Sequence, residues 1–237
     1  PDYEEAEDVT HLVEKKKGTL AGALDEQLPM GTRVLDIGCG TGQLTNFLSI
    51  SNRIVYGVDA SLSSLRKAQQ FKEKNHLDRS HFVQGNLFKP PFPLGFFDVV
   101  IANGVLHHTH SAHSAFDSIV RLVKPGGYIV VGLYHKYGRL FTDLRRLLFA
   151  KTKMLRFLDR RLVNPMIGES RKSAWFRDQY QNPHETKHTV NEVAGWLHGA
   201  GLSFVRSIPA FVAGESSLGM SKLFVPEESI DPWTRVL

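Results

Sequence analysis

One stretch of eleven residues, VLDIGCGTGQL from Val34 to Leu44, limits the fold more than any other part of the chain. A short apolar run passes through Asp36, and glycines follow at positions 38, 40 and 42. An apolar run of this length closed by glycine marks a strand covered on both faces, and glycine lets the next turn be tight and its backbone approach a ligand. The "QLTNFLSI" segment that comes next has helical periodicity, so the amides at its start face whatever the turn encloses. A strand, a glycine turn and a helix in that order belong to a parallel sheet, because parallel neighbours need a helical crossover.

The rest of the first half repeats the unit. "RVLDIG" (Arg33 to Gly38), "RIVYGVDA" (Arg53 to Ala60), "HFVQGN" (His81 to Asn86), "FDVVIANG" (Phe97 to Gly104) and "YIVVGLY" (Tyr128 to Tyr134) are strand-like. Between them "SLSSLRKAQQFKEKN" places Leu62, Leu65, Ala68 and Phe71 on one helical face, and "SAFDSIVRLV" is a helix ended by Lys124-Pro125-Gly126-Gly127. The pattern predicts a doubly wound α/β fold, a parallel sheet with helices on both faces. Residues 1–30 read as an N-terminal helical arm broken near Gly18. With 237 residues, 42% of them hydrophobic, the chain is long enough to bury roughly 70% of its unfolded surface, and one domain with a subdomain is expected. Cys39 is the only cysteine, which excludes an intramolecular disulfide and favours a reducing, cytoplasmic setting. No apolar run reaches the roughly 18 residues of a transmembrane helix. No signal peptide is visible, although the chain opens on Pro1, which makes its start a weak guide.

Ligands of such sheets sit beyond the carboxyl ends of the strands. After the first strand stands Asp36-x-Gly38-x-Gly40-x-Gly42; after the second stands Asp59, 21 positions beyond Gly38, where a carboxylate can accept from both hydroxyls of a ribose. A dinucleotide site has Gly-x-Gly-x-x-Gly, spaced for a pyrophosphate, whereas this loop is Gly-x-Gly-x-Gly with an acid two residues upstream. Asp36 repels a phosphate and suits a ligand that carries an ammonium group and a sulfonium, such as S-adenosylmethionine.

The segments "VLDIGCGTG", "VYGVDAS", "QGNLF", "FDVVIANGVLHH" and "LVKPGGYIVV" resemble, in order and spacing, the class I S-adenosylmethionine-dependent methyltransferases, and together they look like the methyltransferase type 11 group. The resemblance covers about Val34 to Tyr134. It implies a Rossmann-like, seven-stranded, mostly parallel sheet, S-adenosylmethionine as donor with S-adenosylhomocysteine as product, and an S-adenosylmethionine-binding core at residues 31–137. Asp36 and the Gly38 to Gly42 loop, with Cys39, Gly40 and Gln43, then hold the amino-acid part of the donor. Asp59, beside Ala60, holds the ribose; Asn86, beside Leu87, meets the adenine amino group; and Asn103 and Gly104 complete the candidate cofactor set. The family usually has aspartate where Asn86 stands, and an amide oxygen still accepts from an exocyclic amine.

Methyl transfer is an in-line displacement, so alignment in a dry pocket carries much of the rate, and a base is needed only for a nucleophile that must lose a proton. "HHTHSAH" after the fourth strand offers His107, His108, His110 and His113. His107 and His108 lie nearest the strand end and are candidate bases, since a neutral imidazole has an ordinary pKa of about 6.5; shaping the pocket is the alternative. No carboxylate or cysteine joins the four at a metal-ligand spacing, so no metal is expected. Tyr134, a candidate catalytic residue beside His107 and His108, stands with His135 and Tyr137 at the rim of the same cleft. Cys39 fits as a small apolar side chain and not as a nucleophile. Asn103 is followed by Gly104-Val105, whereas amino-methyltransferases of nucleobases resemble one another in an Asn-Pro-Pro-aromatic motif, which disfavours a base amino group as acceptor.

Residues Arg139 to His188 interrupt the core with 12 Lys or Arg against 5 Asp or Glu, more net positive charge than the whole chain's +5. Leu140, Leu144, Leu147, Leu148, Met154, Leu155, Leu158 and Leu162 fall on a helical stripe beside Arg145, Arg146, Lys153, Arg156 and Arg160, which predicts an inserted helical cap at residues 138–188. Such a cap can close over a small acceptor of anionic or lipid-like character, lie on a membrane surface, face RNA, or have a merely solvated basic face. Residues 189–237 are expected to complete the sheet: Thr189 and Glu192 form a capping box for a helix leading into strand six, and "MSKLFV" supplies strand seven, antiparallel in the family. The expectation is a methyltransferase with a small-molecule acceptor, methylated at oxygen, nitrogen or carbon. An RNA methyltransferase, or a binding protein that holds the cofactor without transfer, are the alternatives. The sequence does not set the oligomeric state.

Overall fold

The computed structural model describes residues 6–138, 185–208 and 220–227, with Leu162, Asn164, Gly168, Lys172, Ser173 and Phe176 between them. The stripe from Leu140 to Leu158 and its arginines lie outside the described residues. Two short helices open the chain, α1 (Val9–Lys16) and α2 (Leu20–Gln27), separated where Gly18 takes φ +68°. Then come β1 (Arg33–Ile37), α3 (Gln43–Ile50), β2 (Ile54–Asp59), α4 (Leu62–Lys74), β3 (Ser80–Gln84), β4 (Phe97–Asn103), α5 (Ala112–Val120), β5 (Val123–Gly132) and, after the insertion, α6 (Val190–Gly199).

The five strands form one parallel sheet in the order β3-β2-β1-β4-β5. Alternation along each strand sends side chains to two cores. On one face Leu35, Val100 and Ala102 meet Phe116 and Ile119 of α5, with Trp196 of α6 at the margin. On the other, Val34, Val99 and Ile101 meet Leu12, Leu24, Phe47 and Leu48 of α1, α2 and α3. The fold is therefore an α/β Rossmann-like sheet covered on both faces. Chain order reverses between β1 and β4, which opens a crevice at their carboxyl ends.

Three expectations change. β5 begins at Val123, because Val123 pairs with Phe97 and the Pro125-Gly126-Gly127 segment is carried inside the strand past a register shift. Met220–Lys222, expected to open a seventh strand, is a single 3-10 turn. Gln27 explains it: its amide donates to Met220 O at 2.7 Å and accepts from Leu223 N–H at 2.7 Å, satisfying backbone groups that a ladder would otherwise pair. Residues 202–207, expected to hold strand six, have no assigned strand either, although Glu227 N–H donates to Val205 O at 2.9 Å.

The arm is clamped to the sheet by Arg53, 3% exposed, whose guanidinium donates to Leu28 O at 3.1 Å, to Asp25 O at 2.6 Å and to the Asp25 carboxylate. Replacing it by alanine strands a buried carbonyl pair and a carboxylate, so Arg53→Ala should cost about 3 to 5 kcal/mol in denaturant unfolding. Arg33→Ala, at the more exposed Asp98 pair, should cost about 1 kcal/mol or less.

Candidate active site

The glycine loop folds back over β2: the N–H groups of Gly38 and Cys39 both donate to Val58 O, at 2.7 and 3.1 Å. Gly38, Gly40 and Gly42 all have positive φ, at +70°, +53° and +71°, yet they serve different ends. A Cβ on Gly38 would stand 2.6 Å from Val105 Cγ2, and one on Gly42 would stand 2.6 Å from Ala68 Cβ; around Gly40 nothing lies within 4 Å. Gly38 and Gly42 are thus demanded by the protein's own packing, and Gly40 is the point where the loop is open to a ligand. Gly42 is also the N-cap of α3 and makes no side-chain cap, so the first amides of that helix face the crevice without a capping side chain.

Two carboxylates frame this opening. Asp59, at the end of β2, accepts from Gly40 N–H at 2.9 Å and from Ser61 N–H at 2.8 Å, one bond per oxygen, which leaves each oxygen acceptor capacity for a hydroxyl. Asp36, at 5% exposure, accepts from the Thr45 hydroxyl at 2.7 Å. Burial pushes its pKa up to about 6; the Thr45 hydrogen bond opposes the rise, the Asp59 charge adds to it, and the Lys16 charge opposes it. Cys39 is buried within the loop and its thiol is pushed far up by burial and by the Asp36 and Asp59 charges, which removes any nucleophilic role.

The remaining candidates follow around the rim. Gln43 opens α3, and Ala60 O accepts from the Gln84 amide at 3.0 Å, drawing the ends of β2 and β3 together. Asn86 is exposed, and its side-chain oxygen accepts from Phe88 N–H at 2.9 Å in an Asx turn that runs through Leu87. Asn103 and Gly104 are exposed at the end of β4, and Gly104 N–H donates to Gly132 O at 3.1 Å.

The four histidines of "HHTHSAH" part company. His110 stacks on Phe88 at 4.4 Å, and His113 stacks on Trp196 at 5.0 Å and lies 3.7 Å from Asp117. His107 and His108 instead join Tyr134: His107 lies 3.8 Å from the Tyr134 ring and 4.2 Å from the His108 ring. His107 is 1% exposed, whereas His108 is only half-buried. The three residues chosen from the sequence as catalytic candidates therefore form one cluster, with His108 on its accessible side.

A feature that the sequence does not signal ties this cluster together through its backbone. Residues 186–188, where the chain returns from the insertion, run as a strap: Thr186 N–H donates to His107 O at 2.9 Å, His188 N–H to Tyr134 O at 3.0 Å, and Lys136 N–H to His188 O at 3.0 Å. The His188 ring then meets the Thr186 hydroxyl at 2.8 Å and packs on Trp196, and the capping box of Thr189 and Glu192 starts α6 directly beyond. Nothing in "ETKH" signals this, because four residues are too few to show a period.

Residues 35–131 match the family model described as Methyltransferase domain. Those residues are a methyltransferase domain, similar to the S-adenosylmethionine-dependent methyltransferases. An open glycine at position 40 between two carboxylates suits that family's donor, which has no phosphate for Asp36 to repel. This methyltransferase domain is similar to the Sterol 24-C-methyltransferase of Gibberella zeae, 34% identical over 116 residues that cover 48% of this chain and 29% of that protein. An uncharacterized protein of Synechococcus is 27% identical over 198 residues, covering 73% of this chain and 48% of its own. The chain thus spans about half or less of the length of these relatives. Among solved structures the YcgJ protein of Bacillus subtilis shares the fold, with a TM-score of 0.56 at 21% identity over 78% of this chain and 68% of that one.

Proposed function

We propose that this protein transfers a methyl group from S-adenosylmethionine to a small-molecule acceptor, and that the acceptor lies between the His107, His108 and Tyr134 cluster and the inserted cap. The observation that carries the reading is the strap: the insertion leaves the core just after Tyr134 and returns hydrogen-bonded to both Tyr134 and His107, so both of its ends lie at the cluster. The similarity to a sterol methyltransferase supports a small acceptor of lipid-like character. Among the described residues no helix is long and apolar enough to cross a membrane.

In this reading the donor supplies an electrophilic methyl on a sulfonium. Asp59 accepts from the ribose hydroxyls, Asp36 and the loop amides take the amino-acid end, and Asn86 meets the adenine amine. Leu87, Asn103 and Gly104 line the base and the approach to the methyl. His108 receives the proton of an oxygen or nitrogen acceptor, while His107 and Tyr134 hold its ring in place.

Labelled donor offered to a metabolite extract and to total RNA tests the acceptor class: label is expected in small molecules and not in RNA. Label in RNA selects the nucleic-acid reading, and binding without any transfer selects a non-catalytic one. Reversing Arg145, Arg146 and Arg156 to glutamate then tests the cap. For an anionic acceptor the apparent KM should rise at low salt and recover as salt increases, because the Debye length falls from about 10 Å at 0.1 M to about 3 Å at 1 M. Unchanged kinetics at low salt would leave the basic face as solvated surface.

A further inference from the structure

Helix α6 reaches back to the cluster through one indole. Trp196 stacks on His113 at 5.0 Å and meets the His188 ring edge-on at 4.8 Å, with Phe116 of α5 at 6.0 Å. His113 stands in the first turn of α5, which follows the His107 and His108 segment, and His188 ends the strap. Two chain segments that meet at the cluster therefore share one ring. His188 is the more enclosed of the two histidines: its side chain is 15% exposed, against 55% for His113. Its N–H donates to Tyr134 O and its O accepts from Lys136 N–H, both at 3.0 Å. Its ring meets the Thr186 hydroxyl at Nε2, 2.8 Å away, and the Glu192 carboxylate at Nδ1, 3.5 Å away. Glu192 is itself fixed, since the same oxygen accepts from Thr189 N–H at 2.9 Å in the capping box. The backbone alone holds the strap weakly: His188 and His135 form an isolated parallel bridge, which has no neighbouring pairs to fix its register.

We propose that His188 is a positioning residue of the transfer site, and that the Glu192 carboxylate of α6, by holding its ring, sets the strap against His107 and Tyr134. The inference rests on the acceptor reading above. A neutral imidazole has one donor nitrogen and one acceptor nitrogen. The carboxylate fixes which is which: the proton sits on Nδ1 toward Glu192, and Nε2 accepts from the Thr186 hydroxyl. Both strap side chains are then tied to α6, and their backbone N–H groups carry that placement to Tyr134 O and His107 O. His188 acts through these groups and not on the acceptor. Because a misplacement of about 1 Å can cost about 100-fold in rate, a strap free to slide loses transfer. Asp36, Asp59 and the glycine loop belong to other segments and keep the donor.

Labelled S-adenosylmethionine with the metabolite extract, and calorimetry with S-adenosylmethionine, test this on the native protein and three variants, with urea unfolding to show that each is folded. His188→Ala should lower transfer by about 10- to 100-fold while donor affinity stays within about 2-fold. His188→Asn places an amide where Nδ1 stood, within reach of Glu192, and should recover transfer to within about 5-fold of native. His188→Gln places its amide where Nε2 stood, within reach of Thr186 alone, and should stay as slow as His188→Ala. Native transfer in His188→Ala, or loss of donor affinity along with transfer, overturns the proposal. So does recovery in His188→Gln, or none in His188→Asn; if His188→Ala does not fold, equal rates in these two variants overturn it. A native protein that binds the donor and transfers no label overturns the transfer reading itself, and the proposal with it.

Discussion

Asp36→Asn is expected to make the protein more stable at pH 8 and to cost it most of its affinity for S-adenosylmethionine. The folded state raises the Asp36 pKa from 3.8 to about 6, so it favours the protonated form. That advantage is fully present below pH 3.8 and is lost as pH rises through 6, which at about 1.36 kcal/mol per pKa unit leaves an ionised, buried carboxylate costing up to about 3 kcal/mol at neutral pH. Asparagine is neutral throughout and keeps an oxygen for the Thr45 hydroxyl. The stability difference between variant and native protein, read from urea unfolding, should therefore approach 3 kcal/mol at pH 8 and fall toward zero by about pH 4. A difference that does not vary with pH would refute the assignment. Affinity should move the other way, by about 10- to 100-fold, since the charge-assisted bond proposed between Asp36 and the donor's ammonium would be lost. In the native protein, binding should weaken below about pH 6, where Asp36 must release its proton to bind.

His108→Asn should lower turnover by about 100-fold or more while donor affinity stays within a few-fold, if the acceptor loses a proton in the transfer. His107→Asn should behave differently. At 1% exposure against the Tyr134 ring, His107 shapes the cluster, and its loss should lower thermal stability together with turnover. Equal loss of donor binding and turnover in His108→Asn would move that residue into the donor pocket.

The strands of the sheet were legible because each is a short apolar run between glycine, proline or polar turns. Four of the five lie within two residues of their expected limits, and "QLTNFLSI" is α3 from end to end. Pro125-Gly126-Gly127 has the composition of a stop, and only pairing of Val123 with Phe97 shows that β5 passes through it. "MSKLFV" has strand composition, but a side chain some 190 positions away, Gln27, turns it into a 3-10 turn. The site divides in the same way. Asp36, Asp59 and the glycines follow from local spacing, whereas Arg53 and the strap at residues 186–188 matter through contacts with distant residues that no local pattern encodes. Even the three equally spaced glycines look alike in sequence, and only packing separates Gly40 from its neighbours.

The site stands or falls on Asp59, at the end of β2, whose two oxygens already hold the Gly40 and Ser61 amides. Titration calorimetry of the native protein and of Asp59→Ala with S-adenosylmethionine, and of the native protein with a nicotinamide dinucleotide, puts it to the test. The variant should bind about 10- to 100-fold more weakly, equivalent to about 1.5 to 3 kcal/mol, and the native protein should show no tight binding of the dinucleotide. Unchanged affinity in Asp59→Ala, or tight binding of the dinucleotide by the native protein, would contradict the account.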